Sequence, residues 1–259
     1  MKRRTFLAAS GLAAAGTLNP SLGAAEPPSS GKQYLELRHY ALASVEKRAA
    51  FDAFLGRAAI PALARLGIGP VGVFQMAEGQ DAGLWVLLPH ASLESVAMAN
   101  TKMLADERYL QAGEAVLNCP KNDPAYERME SSLLLGFDQC PKVEIPSRKD
   151  SRVFQLRIYE SHNTIKAKRK VEMFNEGGEI DLFRRTGLNP VFFGESLIGG
   201  KMPNLTYMVG FDDGDAQQKA WKTFGGHPEW KAMKSKPRFK DTVSNITNIV
   251  LRPAASSQI

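Results

Sequence analysis

The 259-residue chain is poor in the features that usually announce a chemistry. It has four histidines and two cysteines. His39, His90, His162 and His227 show no His-x-x-x-His spacing, and the cysteines form no Cys-x-x-Cys, so no metal site is written into the order of residues. There is no serine nucleophile elbow, and Gly199-Gly200 has neither a P-loop pattern nor a dinucleotide-binding context. No apolar run reaches the roughly 20 residues needed to span a bilayer. The net charge of +6 raises the question of nucleic acid. The basic residues are scattered, however, and no nucleic-acid motif accompanies them. The one basic run, Lys166-Ala167-Lys168-Arg169-Lys170, reads as a solvated helix face. A hydrophobic fraction of 44% is too high for a disordered chain and enough for a packed core.

What is present begins with an address. Met1-Lys2-Arg3-Arg4-Thr5-Phe6-Leu7 sets paired arginines before an apolar, small-residue stretch that ends near Gly23-Ala24-Ala25. That layout predicts a twin-arginine signal over residues 1–25 and an exported, periplasmic protein. Residues 26–32 follow as a leader. Export makes the two cysteines a question. Cys119 and Cys140 flank the last strand of the first half, and the spacing leaves both a disulfide and two free thiols open.

A strand that occurs twice organises the rest. Tyr34-Leu35-Glu36-Leu37-Arg38-His39-Tyr40 and Val153-Phe154-Gln155-Leu156-Arg157-Ile158-Tyr159 share Leu-Arg-x-Tyr, with Arg38 and Arg157 standing 119 positions apart. Near-constant offsets continue through Phe54 and Phe174, Gly67 and Gly187, Pro70 and Pro190, Trp85 and Tyr207, and Tyr109 and Trp230. Such an offset marks two copies of one unit. In each copy the hydrophobic periods read strand, helix, strand, strand, helix, strand. In the first, one helix runs from Arg48 to Leu66 with a kink at Pro61, and a second from about Ser92 to about Leu117. In the second copy, Gly177-Gly178 and Gly225-Gly226-His227-Pro228 interrupt the helices. The predicted fold is α+β: two ferredoxin-like βαββαβ units, residues 33–138 and 152–252, joined by a linker at 139–151 and followed by a tail at 253–259.

Alternation puts Leu35, Leu37 and His39 on one face of the first strand, and Glu36, Arg38 and Tyr40 on the other. If the apolar face takes the helices, the Arg/Tyr face meets the other copy's sheet, and Arg38, Tyr40, Arg157 and Tyr159 point into a barrel. A buried guanidinium needs a partner. Either Glu36 and Glu195 supply it, tying the strands together, or a small anionic or aromatic ligand does. His227-Pro228-Glu229-Trp230 is the other conspicuous group. There His227 either serves as a general base near a barrel mouth, with Trp230 beside it at the entrance to bind the ligand, or simply precedes a helix that Pro228 opens, with Trp230 in the core. In the catalytic reading His227 or Tyr159 moves the proton, while Arg157 holds an enolate or carboxylate.

With these residues in hand, the second unit resembles a NIPSNAP domain. The resemblance rests on Phe154-Gln155-Leu156-Arg157-Ile158-Tyr159, Gly187-Leu188-Asn189-Pro190-Val191 and Gly226-His227-Pro228-Glu229-Trp230. The first unit is similar only through Glu36-Leu37-Arg38-His39-Tyr40 and Gly67-Ile68-Gly69-Pro70-Val71, and has Asp106-Glu107-Arg108-Tyr109 in place of the His-Pro element. The resemblance implies the dimeric α+β barrel superfamily, here with both units in one chain, as a monomer or a homodimer. No motif names a cofactor, and haem enters only by analogy with relatives of the fold. Function is left between an oxygenase- or isomerase-like ligand-binding barrel and a non-catalytic interaction module whose Arg and Tyr are structural.

Overall fold

The computed structural model describes residues 31–79 and 81–259. The export signal expected over residues 1–25 lies outside the described residues. The first unit runs β1 (Tyr34–Ala41), α1 (Val45–Phe54), α2 (Ile60–Arg65), β2 (Gly72–Met76), β3 (Leu84–His90), α3 (Leu93–Leu104), α4 (Glu107–Leu117) and β4 (Arg128–Gly136). The second repeats it as β5 (Val153–Glu160), α5 (Thr164–Phe174), α6 (Glu179–Thr186), β6 (Asn189–Ile198), β7 (Asn204–Phe211), α7 (Gly214–Gly226), α8 (Pro228–Ser235) and β8 (Asn245–Pro253).

Each predicted helix is broken, and each break has a local cause. Pro61 lacks an N–H and crowds the preceding turn, and the chain passes through a wider π-turn at Leu55–Ala59 before α2. Asp106 ends the single helix expected over Ser92–Leu117 by capping α4, its carboxylate accepting from the Arg108 and Tyr109 backbone N–H groups. Gly178, at φ 82°, separates α5 from α6.

The strands close into one antiparallel barrel in the order β1-β3-β2-β8-β5-β7-β6-β4. Each unit contributes four consecutive strands, and the seams are β2–β8 and β4–β6. At the second seam Gly136 pairs with Gly194, where a Cβ would stand 2.8 Å from Leu134 Cβ; glycine lets the strands close up. Phe74 and Phe154, one from each unit, meet inside at 4.9 Å between centroids. Around them Leu35, Leu37, Leu87, Leu134, Leu156, Phe192, Met208 and Leu251 form an apolar interior. Val143 and Ile145 of the linker and Ile259 of the tail pack against this cluster. The helices cover the outer sheet faces with two further cores, one per unit. Cys119 and Cys140 are free thiols.

Candidate functional site

The inner and outer faces of the sheet are the reverse of the sequence expectation. Leu35, Leu37, Phe154 and Leu156 face the barrel interior, while Arg38, Tyr40, Arg157 and Tyr159 face the helices. Tyr40 packs on Phe51 of α1 and Tyr159 near Phe174 of α5. A strand covered on both sides has no water-facing side, so alternation alone cannot say which face is inner. Around Phe74 and Phe154 the interior is filled by apolar side chains and holds no counter-charge for a guanidinium. In the helix layer, Arg and Tyr bury their stems and reach polar partners with their tips.

In the first unit the arginine is fully paired. Arg38 Nε and Nη2 donate to the two oxygens of Glu36 at 2.7 and 2.8 Å, and Ser131 Oγ donates to the same carboxylate at 2.8 Å. Burial opposes ionisation of Glu36. Nevertheless the imidazole of His90, 3.6 Å away, the Arg38 fork and the Ser131 hydroxyl pull its pKa down to about 2. Glu195 is exposed on β6 and, among the described residues, pairs with neither arginine. Neutralisation of the arginines by Glu195 is therefore not what the structure shows.

The second unit has Gln155 where the first has Glu36. Gln155 Nε2 donates to Asn248 at 2.6 Å, and its carbonyl accepts from Gln217 and from the Trp221 indole. Arg157 is held by aromatic faces, 4.7 Å from the Trp221 centroid and 5.2 Å from that of Tyr159. Its buried Nε has no hydrogen-bond partner among the described residues. The Tyr159 hydroxyl accepts from Tyr207 at 3.0 Å, and burial raises the pKa of both phenols. Beside them lies a buried ion pair, Lys170 to Glu179 at 2.7 Å, in which the lysine is 3% exposed. The last residue of the basic run is thus core rather than solvated face.

His227 caps a helix. Its Nδ1 accepts from the Glu229 backbone N–H at 3.3 Å, Pro228 opens α8, and Trp230 packs on Phe224 at 4.6 Å. It stands where Asp106 stands in the first unit.

The space sequence reasoning placed behind the arginines lies on the other face of the same strands. One end of the barrel holds a cavity of about 610 Å³, large enough for a small organic ligand. Leu37, Trp85, Ile158 and Ile249 give it apolar walls. His39, Ser132, Thr206 and Thr247 add polar groups, with Glu130 and Lys201 at the rim. Asn204 pins the β6–β7 hairpin over it, donating to the Gly200 and Lys201 carbonyls and accepting from Ser196. Lys201 Nζ donates to Thr247 Oγ1 at 2.8 Å, joining the hairpin to β8.

His39 is the cavity's titratable ring. It lies against Trp85, centroids 4.4 Å apart, and makes no hydrogen bond among the described residues. A Cβ on Gly83 would stand 2.7 Å from His39 Nε2, so glycine there makes room for the ring. The signal for His39 was in the sequence: it shares a face with Leu35 and Leu37. In the structure that face turns inward, away from the helices. A haem does not fit this donor set: among the described residues His39 is the one imidazole in the cavity wall, and its Nε2 packs against Gly83, 2.7 Å from where a Cβ there would stand.

Residues 154–258 match the NIPSNAP family model. The match spans the second unit and nearly all of the tail. No curated protein matches the chain in sequence. Among solved structures, a "putative monooxygenase" of Fusobacterium nucleatum is similar at TM-score 0.58 and 7% identity, over 86% of this chain and 92% of that one. A second protein so described, from Lactobacillus acidophilus, is similar at TM-score 0.60 and 8% identity, over 86% and 94%. An anthrone oxidase-like protein matches at TM-score 0.53 and 12% identity, over 86% and 92%. At these identities the likeness is one of fold, and it bears out the two-unit α+β barrel.

Proposed function

We propose that the barrel cavity binds a small, flat, largely aromatic molecule carrying a hydroxyl or carbonyl group, and that His39 exchanges a proton with it. The observation that carries the reading is the imidazole of His39, which makes no hydrogen bond among the described residues and lies against Trp85 in the wall of a mostly apolar cavity of about 610 Å³. Trp85 and the aliphatic walls suit a planar ring. An unpartnered imidazole beside it takes a proton from an acidic O–H or C–H, leaving a phenolate or enolate and an imidazolium. The hydroxyls of Ser132 and Thr247 and the ammonium of Lys201 are placed to receive the negative charge. That step is common to isomerisation and to oxygenation of an enolate or phenolate; the fold neighbours from Fusobacterium and Lactobacillus are described as putative monooxygenases.

The non-catalytic reading draws support from Arg38, whose pairing with Glu36 accounts for it as a structural residue. It leaves the cavity without a purpose. The two separate by experiment: native mass spectrometry on freshly purified protein, followed by calorimetric titration with hydroxyaromatic compounds. Binding abolished by Leu37→Trp, which fills the cavity, supports the ligand reading. With a bound hydroxyaromatic, His39→Gln removes the proton-transfer step while preserving affinity within a few-fold. Absence of binding across the set, or binding indifferent to Leu37→Trp, overturns it.

The paired arginines and small-residue stretch of residues 1–25 support an exported location. Fractionation of cells with and without a functional twin-arginine pathway tests it. Accumulation in the cytoplasm of both overturns it.

A further inference from the structure

The two halves of the barrel differ in charge. Residues 139–259 carry 20 Lys and Arg against 13 Asp and Glu, whereas residues 31–138 carry 10 against 13. The chain's positive charge therefore belongs to the NIPSNAP half.

The most exposed aliphatic side chains lie in the same half. Among the described residues Ile165 is 70% exposed and Ile198 67%, ahead of every other large hydrophobic side chain. Ile165 is in the first turn of α5 and Ile198 ends β6; β6 leads into the hairpin whose Gly199, Gly200 and Lys201 line the cavity, and the loop that opens α5 is bonded to that hairpin. The backbone shows the junction: Ser161 N–H, just before α5, donates to the Pro203 carbonyl of the hairpin at 2.9 Å. Exposed Met202 of the hairpin and Ile246 at the start of β8 extend the apolar rim.

Cations flank it. Lys168 shares a face of α5 with Ile165 at i, i+3 spacing. Lys166 Nζ donates to the Lys240 carbonyl, setting two lysines beside each other, and Lys201 stands on the hairpin itself. The acids nearby are largely engaged: Glu160 accepts from Asn245 and lies 3.9 Å from Lys201. Glu130 remains at the rim on the first unit's side.

We infer that this rim docks the barrel mouth onto an anionic lipid surface. Exposed Ile165, Ile198 and Met202 enter the headgroup layer, while Lys168, Lys201 and Lys240 meet its negative charge. No helix among the described residues is long and apolar enough to cross a membrane, so the contact is interfacial. The cavity opens within the docking rim, so an apolar molecule dissolved in the bilayer has a short, dry route to Trp85 and His39. Docking stands independently of the ligand reading, since it uses side chains outside the cavity wall, Lys201 excepted.

The test is co-sedimentation of the full chain with vesicles of mixed phosphatidylcholine and phosphatidylglycerol, and with pure phosphatidylcholine vesicles. The expected result is binding to the mixed vesicles that weakens as salt rises and is lost with pure phosphatidylcholine. Ile165→Ser together with Ile198→Ser lowers it by about tenfold or more, leaving the melting temperature unchanged. Lys168→Glu together with Lys240→Glu lowers it and flattens the salt dependence. Titration of the same variants with a cavity ligand separates failure of docking from failure of the ligand reading. No binding to the mixed vesicles, or binding that survives both variant pairs, overturns the inference. So does a solution dimer that the Ile165→Ser, Ile198→Ser variant dissociates, because the face would then join two copies.

Discussion

Glu36 and Gln155 occupy the same position of the repeat, two residues before Arg38 and Arg157, and treat the arginine oppositely. Glu36 grips Arg38 through both oxygens, whereas Gln155 turns to Asn248, Gln217 and Trp221 and leaves Arg157 to aromatic faces. Duplication kept the arginine and changed its means of satisfaction.

Removing the acid leaves a buried guanidinium without its counter-charge. Glu36→Gln is expected to cost about 3–5 kcal/mol in urea unfolding. Replacing both partners, as Glu36→Leu with Arg38→Met, is expected to cost less than the single change.

The same pair sets an acid limit. The folded pKa of Glu36, about 2, lies below the ordinary carboxylate value of 4.5, so the folded state favours the charged form. Its stabilisation is complete above about pH 4.5 and is lost as the pH falls toward 2. Unfolding curves for wild type and Glu36→Gln should converge over that window.

Gly83→Ala would place a methyl 2.7 Å from His39 Nε2 and force the ring off its seat on Trp85. Ligand affinity or turnover should fall by about tenfold to a hundredfold. A variant that keeps full function shows that the position of the His39 ring does not matter.

His227 is expected to act as a cap. His227→Ala should cost about 1 kcal/mol of stability, and His227→Asp, which copies Asp106 in the first unit, should restore it. Neither should alter ligand binding in the barrel.

Cys140 is buried, and burial together with the Glu144 carboxylate pushes its thiol up to about 12. It should resist alkylation at neutral pH in the folded protein and react after unfolding, while the half-buried Cys119 reacts first. Mass spectrometry of the alkylated peptides reads both, and a disulfide-linked peptide would contradict the free thiols.

The repeat was legible because it is a property of order: the offset between Arg38 and Arg157 survives any folding, and each copy's alternation of periods names a βαββαβ unit. Local punctuation was partly legible. Gly178 and Pro228 break helices through their own backbone chemistry, whereas the Asp106 cap hid inside a run with helical periodicity. Tertiary structure decided which face of a two-sided strand turns inward. Period-2 alternation groups His39 with Leu37, and Arg38 with Tyr40, but carries no sign, because in a closed barrel both groups are covered. The sign came from what each space can solvate. Around Phe74 and Phe154 the lumen is filled by apolar side chains and holds no counter-charge for a guanidinium, so the leucines and His39 turned in, and the arginines turned out to Glu36 and Trp221.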